Sequence, residues 1–146
     1  MSIFSDKLNS NKLKKAWALD QRALFDKDKK RQKKLWSESV KIYKELLKKY
    51  KTRSSDRLQI LMKLATINQH QGKFAQSKKY LDTANREVPR DPIIAFNCGN
   101  LYRAMNKPGK AISYYKRAIK LNDKLSSGRQ LFSKELKKYE KTLRKS

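Results

Sequence analysis

The sequence predicts an all-α protein made of antiparallel helix pairs stacked as a short solenoid, and three observations carry that expectation. Helix-favouring Lys, Leu, Ala, Gln and Arg dominate, while 146 residues hold only four glycines and three prolines, so few positions interrupt a helix. The breaks cluster at KTRSS (51–55), QGK (71–73), VPRDP (88–92), NKP (106–108) and LSSG (125–128), leaving segments of ordinary helix length joined by short turns. Finally, small residues recur 34 positions apart: Ala65 falls on Gly99, Ser77 on Ala111 and Ala84 on Ala118. Self-similarity at such a period is the signature of a repeat architecture.

Residues 1–11 lack the apolar run of a secretory signal and are expected to be a flexible end, followed by a single domain over 12–146. Segment 12–34 should supply the first helix of a degenerate repeat over 12–57, with Leu13, Trp17, Leu24 and Phe25 as its apolar stripe. A turn at Lys34, however, would put Asp26, Lys27 and Lys30 on positions that should be buried, so either this helix is offset or the first repeat is irregular. Segment 35–50 reads as the partner helix, with Ser39 at the small position and Leu46 where a second small residue would stand.

The next two units are clearer. In 58–91 and 92–125, Leu64 aligns with Cys98, Tyr80 with Tyr114 and Leu81 with Tyr115. Gly72 aligns with Asn106, the two residue types that best tolerate the left-handed conformation at a helix end. Pro89 begins a break that Asp123 repeats, and Pro92 opens its copy as Leu58 opens the other. Gly99 stands inside a helix at a cost of about 1 kcal/mol against alanine, which implies a close approach that a side chain would block. The same register puts Phe132, Ser133 and Leu136 under Cys98, Gly99 and Tyr102, so 126–146 is expected to be a terminal helix that covers the last unit.

These positions resemble the tetratricopeptide repeat, a 34-residue helix pair with one small residue in its first helix and two in its second. Gly99, Tyr102, Ala111, Tyr115 and Ala118 match the family's positions in 92–125; Ala65, Ser77, Ala84 and Pro89 match in 58–91, where Asn68 replaces the usual tyrosine. The resemblance implies a right-handed solenoid, a non-enzymatic role and a concave groove lined by the first helix of each pair. On this register the groove residues are Gln59, Met62, Lys63 and Thr66, then Phe96, Asn97, Asn100 and Arg103, with Gln130, Lys134 and Lys137 along the terminal helix. Some family members clamp acidic carboxyl ends of chaperones with Lys, Asn and Arg, a pattern that Lys63, Asn97, Asn100 and Arg103 match in part.

Charge and composition narrow the function further. The chain has 38 Lys and Arg against 13 Asp and Glu, a net charge of +25, with the excess spread along its whole length. Such self-repulsion calls for an acidic partner, either RNA or an acidic protein. Lys27, Lys30, Arg31 and Lys34 are expected on one helical face, and Lys134, Lys137, Lys138, Lys141 and Lys145 on another, as polyanion-binding stripes. The leading expectation is docking on RNA or a ribonucleoprotein such as the ribosome; the alternative is a protein adaptor that holds a peptide or helix. No nucleophile and base stand at a recognisable spacing, and one histidine (His70) and one cysteine (Cys98) do not supply a metal site. His70 is expected to be exposed or to cap a helix end, Cys98 to be a small core residue, and Tyr102 and Tyr115 to be core aromatics. No cofactor is expected. A single cysteine and the absence of a long apolar run favour a cytoplasmic location.

Overall fold

The computed structural model describes residues 3–122 and 127–145, which form seven helices: α1 (Ile3–Phe25), α2 (Lys29–Leu47), α3 (Ser55–His70), α4 (Phe74–Glu87), α5 (Pro92–Ala104), α6 (Pro108–Leu121) and α7 (Ser127–Arg144). They pack as the pairs α1/α2, α3/α4 and α5/α6, with α7 against α6.

Local chemistry sets most boundaries. Asp28, Ser54 and Asp91 cap α2, α3 and α5, each accepting from backbone N–H groups of the following turn, which satisfies donors that the helix itself cannot. Pro92 and Pro108 open α5 and α6, where a missing N–H costs nothing. The turns inside the second and third pairs have one geometry. Gly72 and Asn106 take φ of 74° and 56°, and the N–H groups of Lys73 and Lys107 donate to the carbonyls of Asn68 and Tyr102 at 2.8 and 2.9 Å. Position 123, expected to repeat the break at Pro89, lies outside the described residues, as does much of the break at 125–128. Helix α3 starts at Ser55 rather than Leu58, because Ser54 caps it.

All six small positions are buried: Ala65, Ser77, Ala84, Gly99, Ala111 and Ala118. The close approach at Gly99 is made by an aromatic ring, since a Cβ there would meet Tyr115 Cδ1 and Cε1 at 2.6 Å. In the preceding copy the same positions hold Ala65 and Leu81, which share a core cluster; a smaller partner leaves room for a methyl group. Ser77 Oγ donates to the Ala65 carbonyl at 2.8 Å, and Ser39 Oγ donates to the Ala16 carbonyl at the same distance. Ala16 is therefore the small residue of the first pair.

That register resolves the N-terminal unit. Its turn lies at residues 26–28, not at Lys34, so α1 is the offset helix and Asp26, Lys27 and Lys30 are clear of the core. From Ile3 onward, residues expected to be a flexible end continue α1, and Asn9 is buried. The buried side of α1 is Asn9, Ala16, Asp20 and Ala23, with Leu13 and Leu19 half-buried. The expected stripe is corrected: Trp17, Leu24 and Phe25 are exposed, Phe25 by 78%. The reason is that the large apolar residues of α2, Leu35, Trp36, Tyr43 and Leu46, already fill this core, so that Ala16 and Ala23 meet its centre and Leu13 and Leu19 its edges.

An ion pair inside the second pair also reaches back to the first. Arg57 donates through Nε and Nη2 to the Glu87 carboxylate at 2.7–2.9 Å, and through Nη1 to the Leu47 carbonyl at 2.8 Å. Residues from the ends of α2 and α4 thus meet on one guanidinium, whose planar fork suits such convergence.

Candidate functional site

The first helices of the pairs line one side of the stack, and its two ends differ. At the N-terminal end Leu13, Lys14 and Trp17 of α1, Tyr43 of α2, and Gln59 and Lys63 of α3 enclose a pocket of about 350 Å³. Trp17 is 53% exposed. Tyr43 is fully buried, and among the described residues its hydroxyl has no hydrogen-bond partner. Lys63 Nζ stands 3.7 Å from Asp20 Oδ2. Burial raises the Asp20 carboxyl above its ordinary value, with Lys63 opposing the rise. The pocket combines an aromatic anchor, an apolar wall and two cations, a composition suited to an apolar side chain flanked by acidic groups.

Of the groove residues expected on α3, Gln59 and Lys63 line this pocket. Met62 instead packs half-buried into the core beside Cys98, and the Thr66 hydroxyl donates to the Met62 carbonyl at 2.9 Å. Leu13, Lys14, Trp17 and Tyr43 were missed by sequence reasoning. The contact that sets the register of α1, Ser39 to Ala16, spans 23 residues against 12 for Ser77 to Ala65, so the 34-residue offset does not find it.

At the C-terminal end the structure brings Phe96, Asn100 and Arg103 together, but neighbouring helices engage them. Phe96 stacks on Phe132 of α7 with centroids 4.6 Å apart and lies 5.5 Å from Tyr115. Asn100 Oδ1 accepts a 2.7 Å bond from the Tyr115 hydroxyl, and the Arg103 guanidinium lies 4.7 Å over the Tyr139 ring. Asn97 donates to the Ile93 carbonyl at 2.8 Å. Gln130, Lys134 and Lys137 are exposed on α7 around a shallow hollow of about 430 Å³.

The expected cationic stripes are partly rearranged. Lys27 belongs to the turn before α2, so it does not share a helical face with Lys30, Arg31 and Lys34. Arg31 is forked to the Asp26 carboxylate at 2.6 and 2.9 Å, which holds that carboxyl below its usual range. Lys137, Lys138 and Lys141 are exposed along α7 opposite its buried Phe132, Leu136 and Tyr139, and Lys145 lies just past the helix end.

Cys98 is half-buried, and burial pushes its thiol up to about 11, which disfavours the nucleophilic thiolate. His70 is exposed in the last turn of α3 and stacks on Trp36, the rings 5.9 Å apart and nearly parallel. Tyr115 is fully buried and Tyr102 half-buried. Among the described residues no cluster of His, Cys, Asp or Glu is placed to hold a metal ion. Nor is any described helix long and apolar enough to cross a membrane.

Residues 93–125, spanning α5 and α6, match the family model described as tetratricopeptide repeat. Comparison of the chain with curated proteins gives no match. The matched repeat is of a kind that serves as a protein-binding scaffold, and the α3/α4 pair reproduces its turn and its small-residue contact.

Proposed function

We propose that this protein is a non-enzymatic tetratricopeptide-type scaffold that docks in the cytoplasm on RNA, within a ribonucleoprotein such as the ribosome, through the outer surfaces of its helices. The observation that carries this reading is the charge. With 38 Lys and Arg against 13 Asp and Glu, an excess of 25 cations remains however the ions pair. Several acids are also engaged internally, as Glu87 and Asp20 are. A phosphate backbone supplies regularly spaced negative charge, and each neutralised phosphate releases a counterion. The test is a titration with RNA at increasing salt. Affinity should fall steeply and linearly on a log–log plot, with little dependence on base sequence. Affinity indifferent to salt would remove the proposal.

A second reading, an adaptor that holds a peptide or helix of a protein partner, is favoured by the pocket at Trp17. Trp17→Ala should abolish partner capture, yet shift stability by less than about 1 kcal/mol because the side chain is half exposed. Capture by the variant at the parent level would remove this reading, with a thermal melt checking the fold.

A further inference from the structure

On the outer surface, α2 and α4 are separated by a cleft of about 440 Å³ lined by Lys33, Ser37, Val40 and Lys44 on one side, Lys73, Gln76 and Tyr80 on the other, and Asn68 and Gln71 from the end of α3. It holds three lysines and no carboxylate. The lysines are exposed, and among the described residues none of them is in an ion pair. Helix α4 begins at this cleft without a side-chain cap, so the positive end of its dipole adds to the field of Lys73.

The next unit shows what keeps the cleft open. Tyr102 occupies the position of Asn68, and there the ring stacks on Tyr114 at 5.4 Å, with Lys110 Nζ 5.3 Å from its centroid. Asp82 stands where the first cleft has Lys44, and it is bound to Lys78 at 2.7 Å. A separate recess of about 40 Å³ lies toward the linker before α5, where Asp91, Ile94 and Cys98 line it together with Asp82 of α4. Asparagine in place of tyrosine and lysine in place of aspartate therefore set the α2/α4 cleft apart from the same place in the next unit.

We infer that the α2/α4 cleft binds backbone phosphate of single-stranded RNA, an inference that rests on the RNA reading above and gives it a location. Lys33, Lys44 and Lys73 converge on the cleft from two helices, as charge neutralisation of a backbone requires. The neutral groups between them, Ser37, Asn68, Gln71 and Gln76, are donors and acceptors that suit ribose hydroxyls rather than a second anion. Asn68 spends its amide N–H on the Leu64 carbonyl at 2.7 Å, leaving its Oδ1 to accept from a ribose 2′-OH. A membrane surface fits poorly, because the lysines flank a recess and no large exposed apolar side chain lies beside them.

The experiment measures affinity for a labelled oligouridylate over a range of salt for the full chain and three variants. The first is Lys33→Gln/Lys44→Gln/Lys73→Gln. The second is Asn68→Tyr, which fills the cleft without changing the charge. The third, Lys7→Gln/Lys15→Gln/Lys116→Gln, removes the same charge elsewhere; circular dichroism and melting check each fold. The cleft triple should reduce the slope of log affinity against log salt by about two, from three contacts at roughly 0.7 each, and the distant triple by clearly less. Asn68→Tyr should weaken binding at least severalfold with the net charge intact. Should the two triples weaken binding equally while Asn68→Tyr binds as the parent does, the site is wrong and RNA docking stands. A parent chain whose binding ignores salt overturns both. If oligoglutamate displaces the RNA as well as unlabelled oligouridylate of equal charge does, the cleft takes acidic protein, and the inference fails.

Discussion

The two ends of this molecule use one helix-pair plan and treat the space between helices in opposite ways. In the C-terminal half, aromatic side chains fill the space between helices at three places: Tyr115 lies against Gly99, Tyr102 against Tyr114, and Phe96 against Phe132. In the second pair Leu81, Asn68 and Met62 stand in place of Tyr115, Tyr102 and Phe96, and the N-terminal half has recesses around Trp17 and between α2 and α4. The same Tyr position shows the difference at single-atom level. The Tyr115 hydroxyl donates to Asn100, whereas the Tyr43 hydroxyl, four residues after Ser39 as Tyr115 is after Ala111, has no partner among the described residues. Regular packing makes the stack stable, and departure from it leaves surface with which a partner can engage.

The sharpest way to break this contrast is Gly99→Ala. The added methyl would sit 2.6 Å from a buried ring, so despite its better helix propensity the variant should lose about 2–3 kcal/mol in urea unfolding. Combining it with Tyr115→Leu imports the Ala65–Leu81 pair of the preceding unit and should cost clearly less than the sum of the two changes. An additive result would mean that ring and glycine do not oppose each other.

Next in size is the Arg57 fork, which joins α3 to α4 and reaches the end of α2. Arg57→Ala should cost about 2 kcal/mol, the scale of hydrogen bonds to a charged group. The bond from Arg57 holds the Glu87 carboxyl below its ordinary 4.5. The stability this adds is therefore present above that pH and is lost as pH falls through the depressed value. Acid unfolding of Arg57→Ala should start from a lower plateau and lack that step.

A smaller comparison uses the two tyrosines. Tyr115→Phe should lose about 1 kcal/mol with its bond to Asn100, while Tyr43→Phe removes an unpartnered hydroxyl and should be neutral or stabilising. Equal losses would imply that Tyr43 is hydrogen-bonded in solution. The smallest effect is expected at Asp20. Burial raises its carboxyl above the ordinary 3.8, so the ionised form costs stability at neutral pH, and the cost is relieved as pH falls through the raised value. Asp20→Asn should melt at pH 7 no lower than the parent; a clear drop would mean that the contact with Lys63 outweighs desolvation.

Much of this fold was legible because small residues and turn formers act locally. Ala65, Ser77 and Ala84 repeat against Gly99, Ala111 and Ala118 at one offset, and Gly72 and Asn106 mark turns of one geometry. The first pair was harder to read because its turn rests on Asp26 and Asp28 rather than on glycine or proline, and because its linker, residues 48–54, is longer than residues 88–91. The groove was half legible. Gln59 and Lys63 were placed by the repeat register, but Trp17 has the composition of a core residue, and its exposure depends on how α2 fills the space behind α1.

By itself the sequence determined the helix pairs, their turns, the small contact positions and the unbalanced positive charge, since each depends on residue type and spacing along one chain. Tertiary structure alone decided which spaces between helices stay open: the pocket at Trp17, the cleft bounded by Lys33, Lys44 and Lys73, and the closed end under α7. A gap is the difference between a distance set by two helices and the side-chain volumes brought there from several segments, so no single stretch of sequence specifies it.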